Sequence, residues 1–174
     1  RTMIGKTLLQ MAHDKTTTIS GFVGLIQDVA IRAAMETYTA DGTMGHLLDA
    51  DSDGLAFSDF TVFEIEDLMN LGDKYALPVL LYLFRRIEKS LKGQPAAIIL
   101  DEAWLMLGHP VFREKIREWL KVLRKANCIV IMATQSLSDA SKSGILDVIV
   151  ESTATKVFLP NAYARDDESR RLYV

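Results

Sequence analysis

Apolar residues recur along this chain in two rhythms. At Phe112, Ile116, Trp119, Leu120 and Leu123 they fall in steps of three and four, which predicts a helix over about Val111–Lys125. Continuous apolar runs flank that helix at Ala96–Leu100 and Cys128–Ala133, as expected of strands buried on both faces of a parallel sheet. Upstream, Leu80, Leu81, Phe84, Ile87 and Leu91 form one side of a helix over about Leu77–Leu91. Pro78 sits in its first turn, and Gly93 and Pro95 stop it. Val23, Ile26, Ala30 and Met35 predict a helix over Val23–Tyr38, and residues 2–13 a shorter one that Thr16-Thr17-Thr18 interrupts. Thr61–Glu66 alternates and reads as a strand, Ser138–Val150 as a helix, and Thr155–Leu159 as a last strand ended by Pro160. Between them Ala40–Phe60 carries Gly42, Gly45, Gly54 and five aspartates, the composition of a long surface connection.

Strands alternating with helices predict an α/β fold with a mainly parallel sheet. The 174 residues suit a single domain over 1–174, with 40–60 as its surface loop. Composition is ordinary for a globular chain, 49% apolar and 25% charged, which excludes a disordered or collagenous protein. The longest apolar runs, Val79–Phe84 and Cys128–Ala133, hold six residues each, far short of a membrane span. The single cysteine, Cys128, excludes an internal disulfide and suits a reducing compartment. A formal net charge of −3 lends no support to nucleic-acid binding. The chain opens on Arg1 with no secretory pattern after it, and reads as a piece of a longer one.

The candidate chemistry stands at two strand ends. Ala96–Leu100 runs into Asp101-Glu102, adjacent carboxylates where open α/β sheets place their ligands. Nucleotide hydrolysis needs one carboxylate near Mg²⁺ and a second that orients or deprotonates water; two solvated acids closing a strand would look the same. Cys128–Ala133 runs into Thr134-Gln135-Ser136, which reads either as a helix N-cap or as groups that hold a water or a γ-phosphate oxygen. Acids and hydroxyl or amide groups on two strand ends, one helix apart, favour the nucleotide reading.

Phe84–Arg86, Ile99–Trp104, Phe112–Lys125, Ala133–Lys142 and Thr153–Asn161 together resemble the ATPases of conjugation and type IV secretion. These form the CagE/TrbE/VirB family, relatives of the FtsK and HerA motors with RecA-like cores. The resemblance implies an incomplete RecA-like P-loop NTPase fold that uses ATP and Mg²⁺. It makes Asp101 and Glu102 the Walker B pair, Asp101 holding the metal through water and Glu102 serving as catalytic base. It makes Gln135 the polar sensor, with Thr134 and Ser136 beside the nucleotide. It also implies work as a hexameric homo-oligomer, peripheral at the cytoplasmic face of the bacterial inner membrane, with other inner-membrane and cytoplasmic secretion components; DNA binding stays open. In such folds the strand before the phosphate loop separates the sensor strand from the last strand. Cys128–Ala133 and Thr155–Leu159 are therefore expected not to pair with each other, and a strand from outside to fill the gap. A non-catalytic docking or oligomerisation module and a DNA-translocating motor are the alternatives.

Several features read more plainly. Gly5-Lys6-Thr7 offers the last letters of a Walker A loop, but the bulky residues before it suit a helix with a surface lysine. Asp49-Ala50-Asp51-Ser52-Asp53-Gly54 opens like a calcium loop, yet its twelfth position is Phe60, so it reads as an acidic surface turn. Arg113, Arg117, Lys121 and Arg124 form a stripe that is either a solvated face paired with Glu114 and Glu118 or the source of an arginine finger. Arg124 or Lys125 would be that finger, with Arg165 a further candidate past the last strand. His13, His46 and His109 lack metal-ligand spacing, and Cys128, Trp104 and Trp119 read as packing residues.

Overall fold

A computed structural model of the chain describes residues 2–102, 107–134, 144 and 146–160. They divide into two compact units, Arg1–Ser90 and Leu91–Val174.

The first unit is helical. Helix α1 (Met3–Asp14) starts at Thr2, whose hydroxyl accepts the Gly5 amide at 3.4 Å, and ends where Lys15 turns left-handed. Gly5-Lys6-Thr7 lies inside this helix, and the Thr7 hydroxyl donates back to the Met3 carbonyl at 3.2 Å. The helix expected over Val23–Tyr38 is instead broken into α2 (Ile19–Leu25), α3 (Val29–Met35) and a 3₁₀ turn, Glu36–Tyr38. Asp28 makes the break: its carboxylate accepts the amides of Ala30 and Ile31, both at 3.0 Å, and caps a new helix. The bend lets Met11, Phe22 and Ile26 bury together, with Val23, Ile31 and Met35 against them.

The 40–60 connection contains one short helix, α4 (Gly45–Leu48), and is tied down at Asp49. Asp49 accepts the Ile19 amide at 2.6 Å, the Ser20 amide at 3.1 Å and the Ser20 hydroxyl, at the start of α2. Burial pushes its carboxyl up, but these donors outweigh burial and hold it below the ordinary carboxylate range. Asp53 is held low by the Leu55 amide at 2.9 Å, and it also pairs with Arg86 and Tyr82. Its carboxylate thus serves to strap the acidic turn onto helix α6 (Asp73–Ser90).

Thr61–Glu66 is not a strand. Residues 61–65 carry no regular structure, and a short helix α5 (Glu66–Asn70) begins within the expected range. Among the described residues the alternating pattern has no strand paired with it; Phe63 instead packs edge-on against Phe57, ring centres 5.9 Å apart. Helix α6 also starts four residues earlier than expected, at Asp73, which places Pro78 in its interior. An interior proline leaves the carbonyl four residues back without its amide donor. That carbonyl belongs to Lys74, and the Tyr38 hydroxyl donates to it at 2.5 Å.

The second unit is a βαβ motif. Strands β1 (Ala96–Leu100) and β2 (Cys128–Met132) pair in parallel, Ala96 opposite Cys128 and Leu100 opposite Met132. Helix α7 (Pro110–Val122) and a 3₁₀ turn (Leu123–Ala126) connect them. His109 caps α7, accepting the Val111 amide at 3.2 Å on Nδ1, with Pro110 in the first turn. Phe112, Ile116, Trp119 and Leu123 are buried along one side, and truncating the deeply buried Trp119 to alanine would cost about 3–5 kcal/mol. Cys128 is buried too, and burial pushes its thiol up, consistent with a packing role. A last helix, α8 (Leu146–Ser152), packs on α7.

The strands are covered on one face rather than two. Leu100 and Cys128 are buried, whereas Ile99, Ile129 and Ile131 on the other face are 62%, 61% and 46% exposed. An apolar run alone does not reveal which face is covered. Thr155–Leu159 is not a strand either but irregular, so the expected gap between it and β2 has no second strand edge among the described residues. Ser138–Val150 falls largely outside the described residues, and its described part is helical from Leu146.

Two expectations follow for the first unit. Tyr38→Phe should destabilise it by about 1 kcal/mol, but by much less in a Pro78→Ala background, where residue 78 regains an amide for the Lys74 carbonyl. Denaturant midpoints of the four proteins test this; an equal cost in both backgrounds would refute the account. Because Asp49 is depressed on folding, its stabilisation is present above the ordinary carboxylate pKa of about 4 and fades as pH falls through the folded value. Asp49→Asn should therefore lower stability at pH 7 while flattening its loss as pH falls below the ordinary carboxylate pKa of about 4, read from urea titrations.

Candidate functional site

Parallel pairing carries both strands in the same direction, so their carboxyl ends open on one edge of the sheet. The ladder continues past β2: the Ala133 amide donates to the Leu100 carbonyl at 2.9 Å. Asp101 and Glu102 follow β1 there, and Ala133 and Thr134 follow β2. The sequence-predicted acids and the first residue of Thr134-Gln135-Ser136 are thus brought to one edge. Gln135, Ser136, Trp104 and Arg165 lie outside the described residues.

Asp101 is exposed, and its Oδ1 accepts the Glu102 amide at 3.0 Å. Glu102 is half-buried, with φ at +50°. A β-carbon in that region crowds the backbone and costs about 1–2 kcal/mol, so a non-glycine residue there marks a position whose side chain is held at a price in stability. Residue order carries no sign of it, since Asp-Glu at a strand end is compatible with ordinary backbone.

The amino edge is fixed by Asn127, which accommodates its own positive φ of 59° better than Glu102 does. Its carbonyl accepts the Ala96 amide at 3.1 Å, and its side-chain amide donates to the Gly93 carbonyl at 3.1 Å. Arg124 and Lys125 stand in the turn just before Asn127, on this amino edge. A five-residue strand rises roughly 3.3 Å per residue, so more than about 13 Å separates them from Asp101 and Glu102. Within one copy of the chain, Arg124 does not join the acids.

In the rest of the stripe Arg117 pairs with Glu114 at 2.6 Å, whereas Glu118 pairs at 2.9 Å with Lys115, which is not part of the stripe. Arg113 and Arg117 also reach backbone carbonyls, contacts the spacing did not reveal: Arg113 those of Leu107 and Gly108, Arg117 that of Gly144.

The domain model named TraG P-loop domain matches residues 27–167, most of the chain and all of this βαβ unit up to that point. The chain belongs to the TraG P-loop domain family. It is 58% identical over 99% of its length to the conjugal transfer protein TrbE of Rhizobium radiobacter, covering 21% of that protein. It is 32% identical over 90% of its length to the type IV secretion system protein virB4 of Bartonella quintana, covering 19% of it. Against the type IV secretion system protein CagE of Helicobacter pylori it is 36% identical over 70% of its length and 12% of that protein's. The chain thus spans about a fifth of the length of the TrbE and virB4 relatives. Membership places an α/β P-loop fold, here an incomplete RecA-like one, on the helices and two-stranded parallel sheet. Among the described residues no helix is long and apolar enough to cross a membrane.

The strained backbone at Glu102 is open to test. Glu102→Gly should raise stability by about 0.5–1 kcal/mol, relief of the left-handed conformation outweighing the added freedom of the unfolded chain. Thermal unfolding would reveal it; a glycine variant less stable than its parent would mean that the φ is not strained.

Proposed function

We propose that this chain is part of an ATP-hydrolysing motor of a bacterial conjugation or type IV secretion system, driving pilus assembly or substrate transfer. One observation carries the reading: in a member of a P-loop domain family, Asp101-Glu102 and Thr134 leave adjacent parallel strands at the same edge. The donor set suits Mg²⁺. That ion takes one or two carboxylates, with phosphate oxygens and water completing its shell. Asp101 is accessible at the strand end.

Asp101 would hold Mg²⁺ through water, and the ion would supply charge neutralisation on the phosphates. Glu102 would orient the attacking water and accept its proton as the water oxygen bonds to the γ-phosphorus and the bridging bond to ADP breaks, ADP leaving with those electrons. Thr134 and Ser136 donate hydroxyl hydrogen bonds beside the nucleotide, and Gln135 registers the γ-phosphate and its departure. Arg124, on the opposite edge from its own acids, serves a neighbouring copy, which fits a homo-oligomer such as a hexamer. The assembly works peripherally at the cytoplasmic face of the inner membrane, with other secretion components; relatives named for conjugal transfer and type IV secretion support the secretion part of that setting.

The test belongs in the intact protein. Glu102→Gln should keep ATP binding while lowering turnover by about two orders of magnitude or more, the scale of lost base catalysis. Asp101→Asn should weaken Mg²⁺-dependent nucleotide binding as well. Parental turnover by the Glu102→Gln protein would sink the assignment.

A further inference from the structure

The two arginines on α7 that reach backbone carbonyls connect two stretches that the mechanism uses separately. Arg113 Nε donates to the Leu107 carbonyl at 3.2 Å and Nη2 to that of Gly108 at 3.4 Å, five and six residues after Glu102. One helical turn on, Arg117 Nη2 donates to the Gly144 carbonyl at 3.4 Å, in the segment that follows β2 and Thr134. Gly144 also lies against Arg113: a β-carbon placed on it would stand 3.8 Å from Arg113 Nη1. Glu114 accepts from Arg117 Nη1 at 2.6 Å and so holds that guanidinium in place. The Arg113 contact to the buried Leu107 is partly buried, whereas those to Gly108 and Gly144 lie at the surface.

We propose that Arg113 and Arg117 are positioning residues that fasten Leu107-Gly108, which come after Asp101-Glu102 in the chain, to Gly144, which comes after the Thr134 strand end, and so keep the two sides of the nucleotide site in register. The inference rests on the reading of that edge as an ATP site. Neither arginine acts on the nucleotide. They act through backbone: a planar guanidinium with several fixed donors can bridge carbonyls from two segments, whereas a lysine ammonium is a single point of attachment. Catalysis is sensitive to such anchoring, because a displacement of about 1 Å at the reacting groups can cost up to two orders of magnitude in rate.

The experiment uses the intact protein, with Arg113→Lys, Arg117→Lys, the double variant and Glu102→Gln, each followed by Mg²⁺-ATP turnover and thermal unfolding. Each lysine variant should lower kcat about tenfold with KM for ATP within about twofold of the parent, the pattern of a lost transition-state arrangement. The double variant should be little worse than either single one, because both arginines serve one link. Lys115→Gln, on the same helix, should leave kcat unchanged. Parental kcat in both lysine variants, or a rise in KM with kcat intact, would overturn the proposal. Should Arg113→Lys fail to fold, Arg117→Lys carries the same test alone. Glu102→Gln separates the two ideas: if it abolishes turnover while both lysine variants keep the parental kcat, the link fails and the site stands. If Glu102→Gln is harmless, the site reading fails first.

Discussion

The register between β1 and β2 is the constraint on which the rest of the second unit depends. Ala96 opposite Cys128 places Leu100 opposite Met132, and the acids and hydroxyl then emerge level with each other. A slip of one residue would turn every side chain of one strand to the other face, putting isoleucines where Leu100 and Cys128 are buried. Asn127 guards against that slip at the amino edge. A left-handed residue there ends the 3₁₀ turn, and its hydrogen bonds to Ala96 and Gly93 engage the start of β1 before the ladder begins.

Much of this unit was legible from residue order alone. Apolar steps of three and four on Phe112, Ile116, Trp119 and Leu123 mark a helix whatever surrounds it, and flanking apolar runs leave little choice but strands. The Asp101-Glu102 edge followed from that topology. What stayed hidden depends on groups distant in sequence. The carbonyls that Arg113 and Arg117 reach, the Glu102 backbone angle and the uncovered sheet face follow from no periodicity. Thr61–Glu66 shows the converse: alternation describes an extended chain that suits a sheet, and without a partner strand it makes none.

The first unit shows how local conflicts are resolved by remote groups. Pro78 removes a donor from the middle of α6, and the hydroxyl of Tyr38, from another segment, replaces it at Lys74. The N-terminus of α2 lacks intrahelical acceptors, and Asp49 supplies them from thirty residues away. Both contacts draw the acidic connection and its flanks onto the helices, so a stretch rich in glycine and aspartate is held by polar bonds together with the buried Met44. Arg86 adds a further strap, pairing with Asp53, donating to the Leu55 carbonyl at 3.3 Å and lying over the Phe57 ring.

The isoleucine face of the sheet has a bearing on how this polypeptide behaves in solvent. Ile99, Ile129 and Ile131 expose branched hydrocarbon side by side on a rigid, hydrogen-bonded platform. Such a surface leaves roughly 25 cal/mol per Å² of hydrophobic driving force unexpressed in water. Salts excluded from protein surfaces, sulfate above all, raise the cost of wetting it further. Precipitation thresholds in ammonium sulfate would accordingly respond to these three side chains out of proportion to their number. Changing one to threonine preserves the β-branch that the strand favours and makes that patch of the platform wettable.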